Sequence, residues 1–158
     1  GHSGGILDLD FSPSGEVLAS SSSDASARLW NTESGVVTGF LYGHQQEIPI
    51  ISYHPDGNSL VTGSDDDKFR VFTSPYGGQL YTSKSLQAEV TGLSYNPDGT
   101  LLAVCTSNKQ CAIYATTNWD KLDTIAPGAR PVAVTFTPDG TLLLVGLKNG
   151  ELLAYGSN

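Results

Sequence analysis

Apolar and polar positions alternate along this chain in short bursts, and the bursts recur in a fixed order. The frame FSPSGEVLASSSSDASARLW, Phe11 to Trp30, returns as YHPDGNSLVTGSDDDKFRVF from Tyr53, YNPDGTLLAVCTSNKQCAIY from Tyr95 and FTPDGTLLLVGLKNGELLAY from Phe136. The frames start 42, 42 and 41 residues apart. Each is led by an alternating or apolar run (ILDLDF, IPIISY, VTGLSY, VAVTFT) that predicts a strand, a. A Pro-Ser-Gly or Pro-Asp-Gly follows, at Pro13–Gly15, Pro55–Gly57, Pro97–Gly99 and Pro138–Gly140. Proline presets φ and glycine accepts positive φ, so each predicts a tight turn. EVLAS, SLVTG, LLAVC and LLLVG then read as strand b, and ARLW, FRVF, CAIY and LLAY as strand c after a polar turn. VVTGFLY, QLYTSK and KLDTIA suit a more polar outer strand d, absent after the fourth frame. No stretch sustains a 3.6-residue period, so the class is all-β.

A repeat of about 40 to 45 residues with four strands per unit predicts a β-propeller, each unit a blade that buries its faces on its neighbours. The approximate blades are 1–42, 43–84, 85–126 and 127–158, within one segment spanning 1–158. The frames resemble WD40 repeats. Blade 1 has Gly1-His2, Asp24 and Trp30-Asn31; blade 2 has Gly43-His44, Asp66 and Phe72. Blades 3 and 4 keep the spacing with Asn108/Tyr114 and Asn149/Tyr155 but have no histidine. The resemblance implies a buried structural network of His2, Ser20, Asp24 and Trp30, and of His44, Thr62 and Asp66, where Phe72 has no N–H to complete it. It thereby explains the polar run before Trp30: the b–c turn holds Asp24 against a histidine.

The resemblance also implies a non-enzymatic scaffold that binds a peptide or protein on the face built from the d–a and b–c turns. The candidate contact residues are Ser23, Gln46, Glu47, Asp65, Asp67, Lys68, Lys109, Arg130 and Lys148, an acidic sector and a mildly basic one. A basic segment is the expected ligand of the acidic sector. Rings of this family usually have seven or eight blades. Three architectures therefore stay open: a piece of a longer WD40 chain, a natural or engineered half-propeller that closes with a second copy, and a closed four-bladed ring. Self-association of a half-propeller into a closed ring is the alternative function, and a small-ligand binder or enzyme using the central channel is a weaker one. Asp8, Asp10, Ser52, Thr91, Ser94 and Thr135 of the a strands are its candidate lining.

Composition narrows the partners. The formal charge of −8 disfavours nucleic acid and anionic membranes, since phosphate binding needs a basic surface. No apolar run is long enough to span a membrane, and GHSGGILDLD has neither a basic nor an apolar leader region. The two cysteines, Cys105 and Cys111, flank a predicted hairpin turn; reduced packing thiols are expected over a cross-strand bond, and with them a cytoplasmic or nuclear location.

Other motifs carry no chemistry. GHSGG fits the Gly-x-Ser-x-Gly elbow, but no strand precedes it and no helix follows. SDDDK crowds Asp65, Asp66 and Asp67 without the alternation or glycine of a calcium loop. There is no P-loop, dinucleotide fingerprint or Cys–His cluster, so no cofactor and no metal is expected.

Overall fold

The computed structural model describes residues 1–156. The final two positions of the blade assigned to 127–158 lie outside the described residues. Four antiparallel sheets follow one another in sequence order. Sheet 1 holds β1 (Ile6–Phe11), β2 (Val17–Ser22), β3 (Ala27–Asn31) and β4 (Val37–Leu41). Sheet 2 holds β5 (Ile50–Tyr53), β6 (Ser59–Gly63), β7 (Phe69–Thr73) and β8 (Gln79–Thr82). Sheet 3 holds β9 (Val90–Tyr95), β10 (Leu101–Thr106), β11 (Gln110–Ala115) and β12 (Lys121–Ile125). Sheet 4 has three strands, β13 (Pro131–Phe136), β14 (Leu142–Leu147) and β15 (Leu152–Gly156). The fold is all-β, as the alternation predicts.

Turn chemistry sets this meander. In each a–b turn the glycine amide donates three residues back, from Gly15 to Ser12, Gly57 to His54, Gly99 to Asn96 and Gly140 to Thr137. Those glycines have φ of 75°, 76°, 75° and 72°. The b–c turns also need one left-handed residue, and here the sequence is less accommodating. Ala25, Asp67 and Lys109 have φ of 64°, 64° and 69°, and only the fourth turn supplies a glycine, Gly150. An L side chain in this region costs ~1 to 2 kcal/mol.

The chain forms two compact units, Gly1–Glu89 with sheets 1 and 2, and a second that begins at Val90 with sheets 3 and 4. In the first unit, Ala19, Ala27, Leu29 and Leu41 of sheet 1 form one buried cluster with Ile51, Tyr53, Leu60 and Phe72 of sheet 2. Small residues on one sheet receive large ones from the next. Burying each of the large side chains stabilises by roughly 1.5 to 3 kcal/mol. In the second unit, Ala103, Cys105 and Cys111 of sheet 3 cluster with Leu143, Val145 and Leu147 of sheet 4, and Val134, Phe136 and Tyr155 pack against them. The sheets approach so closely there that a Cβ on Gly92 would lie 3.0 Å from the Val134 side chain.

One expectation is overturned in this core. Cys105 and Cys111 are disulfide-bonded rather than free thiols. The ladder sets them directly opposite each other on β10 and β11, with Cα atoms 4.0 Å apart. Both are fully buried, so the sulfurs meet in the dry face between sheets 3 and 4. The compartment inferred from reduced thiols loses that support.

The turn geometry gives opposite signs for two substitutions. Ala25→Gly relieves left-handed strain and is expected to stabilise by ~0.5 kcal/mol after the extra backbone entropy of glycine is subtracted. Gly57→Ala imposes that strain, and its Cβ would meet Pro13 at 3.4 Å; a loss of ~1 kcal/mol is expected. Urea unfolding of the two variants beside the parent measures both signs.

Candidate functional site

In sheet 1 the polar b–c turn folds inward. Asp24 is set by its surroundings: the Ser22 hydroxyl accepts its amide at 3.1 Å, and its carboxylate accepts the Ser26 amide at 3.0 Å and the Ser26 hydroxyl at 2.6 Å. His2 lies beside it, with Nδ1 3.0 Å from the carboxylate and Nε2 2.8 Å from Ser20 Oγ. The Trp30 indole N–H donates to Ser20 Oγ at 2.8 Å. The indole can only donate and the carboxylate only accept. The relay therefore runs from Trp30 to Ser20 to His2 Nε2, with His2 Nδ1–H donating to Asp24. Burial alone would raise the Asp24 pKa. The hydrogen bonds from Ser26, the Ser3 amide and His2 outweigh it and hold the carboxyl well below its ordinary range.

Sheet 2 builds the same site with a different closing residue. His44 Nδ1 is 3.0 Å from both Asp66 oxygens, and Nε2 is 2.8 Å from Thr62 Oγ1. Phe72 lies in the core, and Arg70 of β7 joins the network instead. Its Nη1 donates to Asp66 at 2.9 Å and sits against His44 Nδ1. Sequence reading missed Arg70, because the tryptophan position was searched and this residue lies two positions earlier. The available signal was an arginine in the middle of FRVF, where burial demands a carboxylate partner. Burial is the main force lowering the His44 pKa, to about 4; Asp66 opposes it and Arg70 reinforces it. Burial also pushes Asp66 upward, but His44, the Gln45 amide and Arg70 together bring it below its ordinary value.

Without a histidine, the b–c turns of sheets 3 and 4 satisfy themselves. Thr106 Oγ1 donates to Asn108 Oδ1 at 2.7 Å, and Asn149 Nδ2 donates to Glu151 Oε2 at 2.7 Å.

The a strands hold a second set of polar contacts. Strand β5 is the edge of its sheet, and its amides reach sheet 1: Ile51 donates to Asp8 at 3.0 Å and Tyr53 to Asp10 at 2.7 Å. In the second unit the Phe136 amide donates to Ser94 Oγ at 3.3 Å. These channel candidates thus hold backbone amides across sheets. Burial raises the Asp10 pKa, with repulsion from Asp8 adding to it, against the bonds from the Tyr53 and Phe11 amides.

The predicted contact residues divide between the units. In the first, the loop before β5 is stitched to the b–c turns on either side. Ser64 Oγ donates to the carbonyls of Gln46 and Glu47, and the Asp65 amide donates to Glu47 O at 3.1 Å. The Ile48 amide donates to Ser22 O, beside Ser23, at 3.1 Å. Ser64 accepts no slack: its amide closes the turn on Lys68 O at 3.1 Å, and Asp67 O accepts the Leu86 amide at 2.8 Å. Gln46 and Glu47 are exposed; Ser23, Asp65, Asp67 and Lys68 are half-buried. In the second unit the Lys148 amide donates to Arg130 O at 2.8 Å, which brings those two basic residues together. Lys109 sits in the b–c turn of sheet 3, its amide on Thr106 O at 3.2 Å.

Comparison with known families agrees with this geometry. The model described as WD domain, G-beta repeat matches residues 1–31 and 35–73, and that of the Anaphase-promoting complex subunit 4 WD40 domain matches residues 70–134. The chain belongs to the WD40-repeat family. WD40 repeats generally mediate protein–protein interaction, and proteins built from them are generally non-enzymatic scaffolds. The two histidine networks sit on the first two WD40 repeats. In them both ring nitrogens of each histidine face protein partners, so neither offers a base to a substrate.

Two outcomes follow from the Arg70 site. Because the folded pKa of His44 lies below the ordinary 6.5, the unfolded chain takes up a proton that the folded chain refuses. This contribution to stability is complete above pH 6.5 and is lost as pH falls toward about 4, by up to ~3 kcal/mol. Asp66 and Asp24 add further loss below their unfolded values near 3.8. Asp10 works in the opposite sense, favouring the fold as it protonates. Denaturant unfolding between pH 7 and pH 4 reads the sum as a fall. Arg70→Met leaves a buried carboxylate without its cation and is expected to cost ~3 kcal/mol. NMR titration of that variant should show the His44 pKa moving up, since a repelling charge is gone and Asp66 remains.

Proposed function

We propose that the chain is a protein-interaction module whose loop surface in the first unit receives a peptide or protein segment rich in lysine or arginine. The observation that carries this reading is the stitching of Glu47 to the Asp65 turn. It ties down the backbone that carries Glu47, Asp65 and Asp67, while Asp66 is engaged inside with His44 and Arg70. Carboxylates clustered on backbone that is already ordered attract a cation at a reduced ordering cost, which favours specificity and a fast on-rate. The basic residues Arg130 and Lys148 belong to the other unit and serve as the control surface. A second reading, self-association through exposed sheet faces, is favoured by uncovered apolar positions on sheets 1 and 4.

The experiment is fluorescence anisotropy with a labelled Lys/Arg-rich peptide. Joint reversal, Glu47→Lys with Asp67→Lys, is expected to weaken binding at least tenfold at low salt, about 1.4 kcal/mol or more. Lys148→Glu should leave it unchanged or tighten it. Equal affinity for the parent and the double reversal removes the reading.

A further inference from the structure

Each of the four b–c turns places one residue in the left-handed region. Sheet 4 supplies Gly150 there, at φ of 91°, and glycine adopts that conformation without strain. Sheets 1, 2 and 3 use Ala25, Asp67 and Lys109 instead, at 64°, 64° and 69°. An L residue kept in this region needs surroundings that stop the turn from relaxing. In sheet 1 the restraint is the bond from His2 to Asp24, the residue just before Ala25. In sheet 2 it is the bond from His44 to Asp66, the residue just before Asp67. The glycine turn of sheet 4 stands on its own short-range bonds, from the Gly150 amide to Leu147 O and from Asn149 to Glu151.

Sheet 3 has a strained lysine and no histidine to go with it. Asn108 precedes Lys109, and its side chain accepts the Thr106 hydroxyl from within the same turn. The restraint that sheet 3 does have is covalent. Cys105 and Cys111 are the ladder pair just outside Thr106 and Gln110, so their disulfide closes the base of the turn. The pairs at that position in the other sheets are Ser21 with Ala27, Gly63 with Phe69 and Gly146 with Leu152. Both cysteines of the chain thus stand at the one b–c turn that combines a left-handed side chain with the lack of a histidine.

We infer that the Cys105–Cys111 disulfide is a redox-controlled clamp on the b–c turn of sheet 3, doing there what the histidine networks do in sheets 1 and 2. Oxidised, the pair keeps Lys109 left-handed. Reduced, it releases residues 106–110 to relax. This goes beyond the peptide reading and does not rest on it.

The reductant is a small dithiol. One of its thiolates attacks a cystine sulfur and forms a mixed disulfide, while the other cysteine leaves as a thiolate and takes up a proton. The second thiol of the reductant then displaces the attacked cysteine. The reductant departs as a cyclic disulfide, and two electrons and two protons have passed to the protein pair. Both cysteines are fully buried, so the attack waits on a local opening of the hairpin. Ile125, the ladder partner of Cys111, lies on the edge strand β12, which is exposed over Lys121 to Thr124, so that side of the hairpin has little packing to hold it shut.

Amide hydrogen exchange, read residue by residue by NMR on the 158-residue chain with and without dithiothreitol, tests this. Reduction is expected to speed exchange of residues 106–110 by at least about tenfold. The amides of Ser26 and Gln45, which the Asp24 and Asp66 carboxylates hold, should not change. Lys109→Gly supplies the left-handed residue without strain, as in sheet 4, and its turn should respond little to reduction. Cys105→Ser with Cys111→Ala reproduces the Ser21 and Ala27 pair and should exchange as the reduced parent does. Cys105→Gly with Cys111→Leu, the pair of sheet 4, replaces it if it does not fold. Equal exchange in the oxidised and reduced parent overturns the inference, as does a bond that excess dithiothreitol leaves intact. So does a Lys109→Gly protein that responds as strongly as the parent. Acceleration spread equally over β9, β10 and β14 would make the disulfide a staple of the whole second unit and overturns it too.

Discussion

A meander of three or four strands has two faces and can bury neither by itself, so everything in this molecule depends on how one sheet seats on the next. The contact has an apolar part and a polar part. Ala19 and Ala27 leave room, and Tyr53, Leu60 and Phe72 fill it. Asp10 and Asp8 then take the amides of Tyr53 and Ile51, which an edge strand would otherwise expose. The second unit solves the same problem with different residues. A disulfide stands where sheet 1 has the Ser21–Ala27 pair, and Ser94 replaces the carboxylate. The recurrence of the geometry through such different chemistry shows that the register is the constraint and the residues are its local solutions.

The histidine networks stand one level above that contact. They fix the b–c turns so that Asp24 and Asp66 are each held against a histidine. In sheet 1 a tryptophan N–H closes the relay, whereas in sheet 2 an arginine does so, and the exchange alters the electrostatics. A relay closed by an indole N–H becomes one closed by a buried cation–carboxylate pair, and burial is the main force that lowers the pKa of its histidine. The first unit consequently carries the acid-sensitive His44 site beside the loop that Ser64 and Asp65 hold at Glu47.

Much of the fold was legible because each level of the sequence agreed. The Pro-x-Gly turns, the period-2 runs and the recurring spacing all predicted one meander, and the strands start and end within a residue or two of the quoted runs. Within the site, the set of His2, Ser20, Asp24 and Trp30 was legible through the resemblance to WD40 repeats, and the structure brings those side chains together. The site was not legible where contacts cross between repeats. Nothing in ILDLDF says that Asp8 and Asp10 serve amides more than forty residues on; the alternation gives their face and not their partner. Arg70 was hidden because its role depends on the absence of another residue. The cysteine pair was misjudged because composition speaks to compartment, while the bond is set by a ladder register that places the two Cα atoms 4.0 Å apart.

The central claim, that a sheet of this chain exists only as part of a packed pair, is tested most directly by native-state hydrogen exchange in the first unit. The amides of β2 and β3 in sheet 1 and of β6 and β7 in sheet 2 should share one opening free energy, because loss of the contact between the sheets unfolds both. Two well-separated values, with one sheet protected while the other exchanges, would contradict the account.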